Sequence, residues 1–321
     1  AASSLDMAVT LGGFVVGVAA ALMGAGGAAP LVGLAIAPFL AALVFTPGEV
    51  TKGANATWDP DRARRYAAYG YPVAASLILA LVLSSTDRLL LASFLDEAAV
   101  GAYHAGYSLA NRTLDVIFIW LGAASGPALV MALERGGEDA LKHAAREQAS
   151  TFLLIALPAT AGLALVAQPL AELVIGPDLR VGAAAVTPLV AISALFGGLT
   201  TYYFHQAFTL SRRTGRLLVA MTLPAAVNVA LNLILIPRLG VMGAALATAL
   251  SYGVGLIASW AMGRRAASLP IPWEALARCG IATAMMSAAV WLVPAVGGAP
   301  ELLAKAVVGA IVYALCAWAL N

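Results

Sequence analysis

Residues 228–260 read NVALNLILIPRLGVMGAALATALSYGVGLIASW: an apolar run, a break at Pro237, Arg238 and Gly240, and a second apolar run. Counted from Leu217, where the apolar residues leading into it begin, the first run has about the same length as the second, and at 1.5 Å per residue each is long enough to cross most of a hydrocarbon core roughly 30 Å thick. Pro237, with Gly240 and Gly243 close behind, suits a tight turn between two spans. Beyond the turn Gly243, Ala247, Ser251, Gly255, Ser259 and Gly263 recur every four residues. Such a stripe of small side chains lets helices approach closely in lipid and reads as packing. The expected unit is a membrane-spanning helical hairpin.

The rest of the 321-residue chain repeats this theme, with 62% hydrophobic and 11% charged residues. An ordinary soluble domain carries roughly 45–50% and about 25%. Ten apolar segments follow one another: Leu5 to Met23, Ala29 to Phe45, Tyr71 to Leu95, Ala102 to Leu133, Phe152 to Val166, Val181 to Leu210, Leu217 to Ile236, Val241 to Met262, Cys279 to Val296 and Leu302 to Leu320. The expected fold class is all-α, a polytopic integral membrane bundle of about ten transmembrane helices. Cys279 and Cys316 lie inside apolar runs and read as small hydrophobes, not as a disulfide or metal framework. The net charge of +2 comes without a basic stripe interleaved with aromatics, which argues against nucleic-acid binding. The chain starts at Ala1 and stops at Asn321 directly after a span, so both ends read as trimmed.

Basic residues are retained on the cytoplasmic side of a membrane. Alternate loops carry Lys52, Arg62, Arg64 and Arg65; Arg135, Lys142 and Arg146; Arg212, Arg213 and Arg216; Arg264, Arg265 and Arg278, which is 13 of the 18 Lys and Arg residues. The intervening loops hold only Arg180 and Arg238, with Lys305 just inside the last span. Asp59 and Pro60 form an N-cap and first-turn pair for a helix running into Tyr71. Gly136 and Gly137 break the chain before the amphipathic stretch Glu138 to Gln148, a solvated loop helix in one reading and, in the other, a helix whose Lys and Arg lie at the membrane headgroups. The longest loop, Thr46 to Gly70, is too short for a folded domain of about 50 residues or more.

Ionisable groups within a span cost about 2.5–3.5 kcal/mol each and are functional candidates. Here they are Asp87 and Arg88 in the third segment and Arg112 and Asp115 in the fourth. Counted from the short connecting loop, Asp87 and Arg112 fall at similar depth, so a carboxylate–guanidinium pair across the two helices is expected. His104, Ser108, Arg112 and Asp115 share one face of the fourth segment. That face contacts substrate or a coupling ion in one reading and fixes two helices in the other. Asn228 and Asn232, one turn apart, and His205 are interhelical hydrogen-bonding candidates. No phosphate-binding glycine loop or His-Glu-x-x-His helix is present, and no metal, cofactor or catalytic residue is expected. Asp59 and Asp61 are a weak exception, and the sequons at Asn55 and Asn111 imply no glycosylation.

The 228–260 stretch resembles the late helical hairpin of bacterial polysaccharide flippases, of the multidrug, oligosaccharidyl-lipid and polysaccharide exporter superfamily. Residues 87–111, DRLLLASFLDEAAVGAYHAGYSLAN, resemble the first hairpin of that family's second lobe. The resemblance implies a MATE-like two-lobe fold lacking its first four helices. Residues 1–48 are then the last two helices of the first lobe, 49–70 a cytoplasmic linker, 71–265 the second six-helix lobe, and 266–321 two added C-terminal helices. It also implies translocation of lipid-linked oligosaccharide by alternating access in the bacterial inner membrane, as in O-antigen and lipopolysaccharide synthesis; a drug or small-cation antiporter is the alternative. Arg88 and Arg112 would meet the substrate diphosphate, and Arg62, Arg64 and Arg65 would line a cytoplasmic entrance. A polysaccharide polymerase is an implied partner. The chain by itself is expected to insert and fold but not to transport.

Overall fold

The computed structural model describes residues 2–24, 26–45, 59–211 and 213–320, and among them there is no strand. Lys52, Asn55 and Arg212 lie outside the described residues. The chain divides into two compact units, Ala1–Arg65 and Tyr66–Asn321.

In the first unit, α1 (Ala2–Leu22) packs on α2 (Ala29–Phe45) across a three-residue 3-10 turn. A Cβ on Gly33 would lie 2.2 Å from the Gly13 carbonyl oxygen, so only glycine permits this approach of the two backbones. Asp59 then caps α3 (Pro60–Phe94) as expected: its Oδ1 accepts the Asp61 and Arg62 N–H groups, each at 3.0 Å. That role occupies the Asp59 carboxylate of the candidate acidic pair.

The second unit continues with α4 (Glu97–Leu165), α5 (Ala167–Val174), α6 (Pro177–Leu199), a π turn (Thr200–Phe204), α7 (Gln206–Leu210), α8 (Thr214–Leu239), α9 (Val241–Gly263), α10 (Trp273–Trp291) and α11 (Gly298–Ala319). All ten predicted apolar segments are thus largely helical. Six of the described helices are long and apolar enough to cross a membrane: α3, α4, α6 with its extension through α7, α8, α9 and α11. The 69 residues of α4 hold two predicted segments, jointed at Gly137, whose φ of 69° a side chain would resist. The predicted loop helix Glu138 to Gln148 is the start of the second half. It buries Leu141, Ala145 and Gln148 on one face while Lys142 pairs with Asp139 at 3.7 Å on the other.

Packing follows the small residues. Within the second unit the most extensive contacts are α4 on α6, α8 on α9, and α9 on α6. The stripe Gly243, Ala247, Ser251, Gly255, Ser259 and Gly263 is buried along its whole length, which confirms its packing role. Outward faces carry large apolar groups instead, with Trp120 at 77%, Trp291 at 77% and Trp318 at 81% exposure, as lipid-facing helices require.

The α10–α11 hairpin is tied to the rest through its turn. Glu301 accepts the Gly297 N–H at 2.8 Å and pairs with Lys305 at 2.5 Å, and the Lys305 ammonium donates to the Leu165 carbonyl at 3.4 Å. Glu172 of α5 accepts the Gly298 N–H at 2.7 Å and that of Gln168 at 3.0 Å. The Gly298 amide, then Gln168, holds the Glu172 carboxyl below its ordinary value of 4.5. A carboxyl depressed in the folded state stabilises fully above the unfolded value and ceases to do so as pH falls through the folded one. Acidification below 4.5 is therefore expected to free the 297–301 turn. Hydrogen exchange of that turn, corrected for intrinsic rates, should rise below this pH in the native chain; in Glu172→Gln the pH dependence at Gly298 should be lost, while that at Gly297, held by the Glu301 carboxylate, should remain.

Candidate functional site

Two turns meet at one end of the second unit: a Cβ on Gly240 would lie 3.8 Å from Leu95 Cδ1. Counting eight residues from Leu95 leads back to Asp87 and forward to Tyr103, and eight residues from Gly240 lead back to Asn232 and forward to Thr248. Eight helical residues rise about 12 Å, so the four groups share one depth. All four are fully buried.

Three of them are joined. The Tyr103 hydroxyl donates to Asp87 Oδ2, and Thr248 Oγ1 lies 3.2 Å from the Tyr103 hydroxyl and 3.5 Å from Asp87 Oδ2. Asp87 Oδ1 accepts the Arg88 backbone N–H at 2.8 Å. A carboxyl group held by α3, α4 and α9 is thereby satisfied without a cation. One turn along, the Arg88 guanidinium stacks 4.6 Å from the Tyr107 ring centroid, and its Nε is buried without a hydrogen-bond partner.

The expected aspartate–arginine pair is not formed: among the described residues, neither Asp87 nor Asp115 has a guanidinium nitrogen of Arg88 or Arg112 within 4.0 Å. The reason is register. Helix α4 begins at Glu97, five residues before the apolar run, which carries Arg112 about 7.5 Å deeper than a start at Ala102 would. Tyr103 takes the place at the depth of Asp87. Asp115 bonds within its own helix instead, accepting from Asn111 Nδ2 at 2.5 Å.

The polar face of α4 is present and open. His104 and Arg112 are exposed, and Ser108 and Asp115 are partly buried. Asn228 and Asn232 are buried, but they bond to each other along α8 at 3.0 Å and not across helices. This corrects the interhelical reading and leaves Asn228 Nδ2 and Asn232 Oδ1 without partners. His205 is interhelical, its Nε2 lying 3.2 Å from Ser259 Oγ on α9. Arg62, Arg64 and Arg65 are exposed on α3, with Arg62 3.6 Å from Asp59.

Tyr103, Tyr107, Thr248 and Gln148 are uncharged and do not stand out in the sequence. The first three are legible only by counting symmetrically from the two turns. Gln148 bridges Ser125 Oγ at 2.7 Å and the Tyr202 carbonyl at 3.1 Å, satisfying a backbone acceptor in the π turn.

The fold is shared with a solved structure described as the lipid II flippase MurJ in an inward closed conformation. The TM-score is 0.70 and the identity 14%, with 97% of this chain and 64% of the flippase chain covered. This chain thus spans 64% of that protein's length. Among curated proteins no match is found. Residues 2–180, more than half of the chain, match the sequence profile of a family described as polysaccharide biosynthesis protein. An all-helical membrane bundle that matches this profile through both α3 and α4, the helices that bring Asp87 to Tyr103, belongs to the polysaccharide biosynthesis protein family.

Proposed function

We propose that this chain is the part of a flippase that carries the second lobe, and that the protein moves lipid-linked oligosaccharide across the bacterial plasma membrane for cell-surface polysaccharide synthesis. The observation that carries the reading is the coincidence of the two similarities: a polysaccharide-family profile over residues 2–180 and a flippase fold over 97% of the chain. No observation favours the drug or cation antiporter. In this reading residues 1–48 belong to the first lobe, 49–70 to a cytoplasmic linker, 71–265 to the second lobe and 266–321 to an added hairpin, with the arginine-rich loops in the cytoplasm.

Alternating access needs a site that both lobes reach and a packed layer that keeps its geometry while a lobe moves as a body. The open face of α4, with His104, Ser108, Arg112 and Asp115, supplies the first role, and Arg112 is the cation that meets a substrate diphosphate. The buried Asp87–Tyr103–Thr248 layer, with Asn232 at its depth, supplies the second and is the candidate for coupling to an ion. Arg62, Arg64 and Arg65 line the cytoplasmic approach. The lipid-linked glycan and membrane lipid are the partners, with a polysaccharide polymerase downstream.

The test is complementation. In a bacterium depleted of its own lipid-linked glycan flippase, the protein carrying this chain is expected to restore surface glycan. Arg112→Ala should reduce the restored glycan by roughly tenfold, the loss of about one charge-assisted contact. Normal membrane insertion with no restored glycan would overturn the reading.

A further inference from the structure

The second half of α4, the entry to α10 and the end of α11 line an open cavity of about 870 Å³. Its walls carry Arg146, Ser150 and Thr151 from α4, Glu274 and Arg278 from α10, and Trp318 from α11. None of these residues belongs to the Asp87 layer or to the polar face of α4. Arg146 is exposed and, among the described residues, in no ion pair, while Arg278 reaches Glu274 only at 4.0 Å with both side chains open. Trp273 and Trp318 are 67% and 81% exposed beside these cations. Tryptophan and arginine together mark the headgroup level of a bilayer.

The charges indicate what fits. Two guanidinium groups against one carboxylate leave one positive charge, which a single phosphodiester neutralises and a diphosphate exceeds. The hydroxyls say more. Ser150 donates to the Arg146 carbonyl at 2.8 Å and Thr151 to the Glu147 carbonyl at 3.0 Å, so their protons are used inside the helix and their oxygens are left as acceptors. A ligand that completes the site carries hydroxyl donors next to its phosphate. The apolar remainder of the wall, including Leu154 and the Trp318 ring, suits the first carbons of acyl chains.

We propose that this cavity binds one anionic phospholipid with a hydroxylated headgroup, phosphatidylglycerol in its chemistry, from the leaflet that the arginine-rich loops face. Arg146 and Arg278 hold the phosphodiester, Ser150 and Thr151 accept from the headgroup glycerol, and the bound lipid joins the added hairpin to α4. The assignment does not depend on what the protein transports.

The chain in phosphatidylcholine nanodiscs, titrated with phosphatidylglycerol and read by native mass spectrometry, is expected to retain one phosphatidylglycerol. Arg146→Gln with Arg278→Gln should weaken retention roughly 30-fold or more, as loss of the charge-assisted hydrogen bonds to the phosphodiester implies. Arg264→Gln with Arg265→Gln, on the neighbouring loop, makes no such bond and should change it by less than about threefold, because exposed charges outside the site are screened. Ser150→Ala with Thr151→Val keeps both charges and should erase the preference for phosphatidylglycerol over phosphatidylethanol, which lacks the glycerol hydroxyls. This second variant carries the test if the arginine pair fails to fold. Equal loss in both arginine pairs means a diffuse surface field and overturns the proposal, as does retention unchanged in every variant. Displacement of the lipid one for one by a polyprenyl diphosphate also overturns it, because the cavity is then a substrate subsite.

Discussion

Asp87→Ala is expected to abolish restoration of surface glycan, and Asp87→Asn to reduce it at least tenfold while the chain still folds. The carboxyl group is fully buried and is the point where the Tyr103 and Thr248 side chains converge with the Arg88 amide. Deleting it leaves a void and strips acceptors from donors that no water can reach. Hydrogen bonds to charged partners contribute about 1.5–3 kcal/mol each, but here part is recovered, since the Thr248 hydroxyl keeps the Ala244 carbonyl at 2.9 Å and lies close to Tyr103. A net destabilisation of about 2–3 kcal/mol is expected for the alanine variant. Asparagine keeps the volume and one oxygen, so its melting temperature in detergent should stay close to that of the native chain. Transport by Asp87→Asn at the native level would reduce the layer to a helix fastener and remove it from the coupling role.

Gly106→Val is expected to disrupt the second unit more than any polar substitution in the α4 face. A Cβ at this position would lie 2.5 Å from the Ala183 carbonyl oxygen and 2.5 Å from Val186 Cγ2, in the α4–α6 contact that is the most extensive in the unit. The first obstacle is backbone, which no rotamer change removes, so the helices must separate. Overpacking costs typically about 1–3 kcal/mol, and this case belongs at the upper end or beyond. Separation would also loosen Tyr103, fully buried less than one turn away on α4, from Asp87. At Gly162 and Gly280 an added Cβ would meet nothing within 4 Å, so alanine there should be neutral or gain about 0.5–1 kcal/mol of helix propensity. Thermal unfolding of the three variants in one detergent checks the contrast; equal melting temperatures would mean that the α4–α6 interface tolerates expansion.

The candidate site was half legible in the residue pattern. Asp87, Arg88, Arg112 and Asp115 stand out because charge within an apolar run is rare, whatever the helices do next. Their partners do not stand out. Choosing Arg112 over Tyr103 for Asp87 required the starting point of α4, and the apolar run begins at Ala102 while Asp96 caps the helix from the polar loop before it, accepting the Ala99 N–H at 2.7 Å. Five residues of helix rise by about 7.5 Å, more than the reach of a side-chain contact. The Asn228–Asn232 pair failed for a related reason. A spacing of four places two side chains on one helix face, and nothing local decides whether they turn to each other or to a neighbouring helix.

What the amino-acid sequence determined by itself is everything that depends on local chemistry and on the bilayer: the ten helical segments, the Asp59 cap, the break at Gly137, the turn at Gly240 and the buried small-residue stripe of α9. These follow because each helix must satisfy its own backbone in a medium without water, so segment length and hydropathy suffice. What only the tertiary structure decided is rotation and register: which face of α3 meets α4, that Thr248 of α9 completes the Asp87 layer, and that Glu172 holds the Gly298 amide across 126 residues of chain. A helix apolar on all sides carries no stripe to set its rotation. One residue turns it by about 100°, and that angle is set by glycine contacts and buried polar partners that exist only once the helices are assembled.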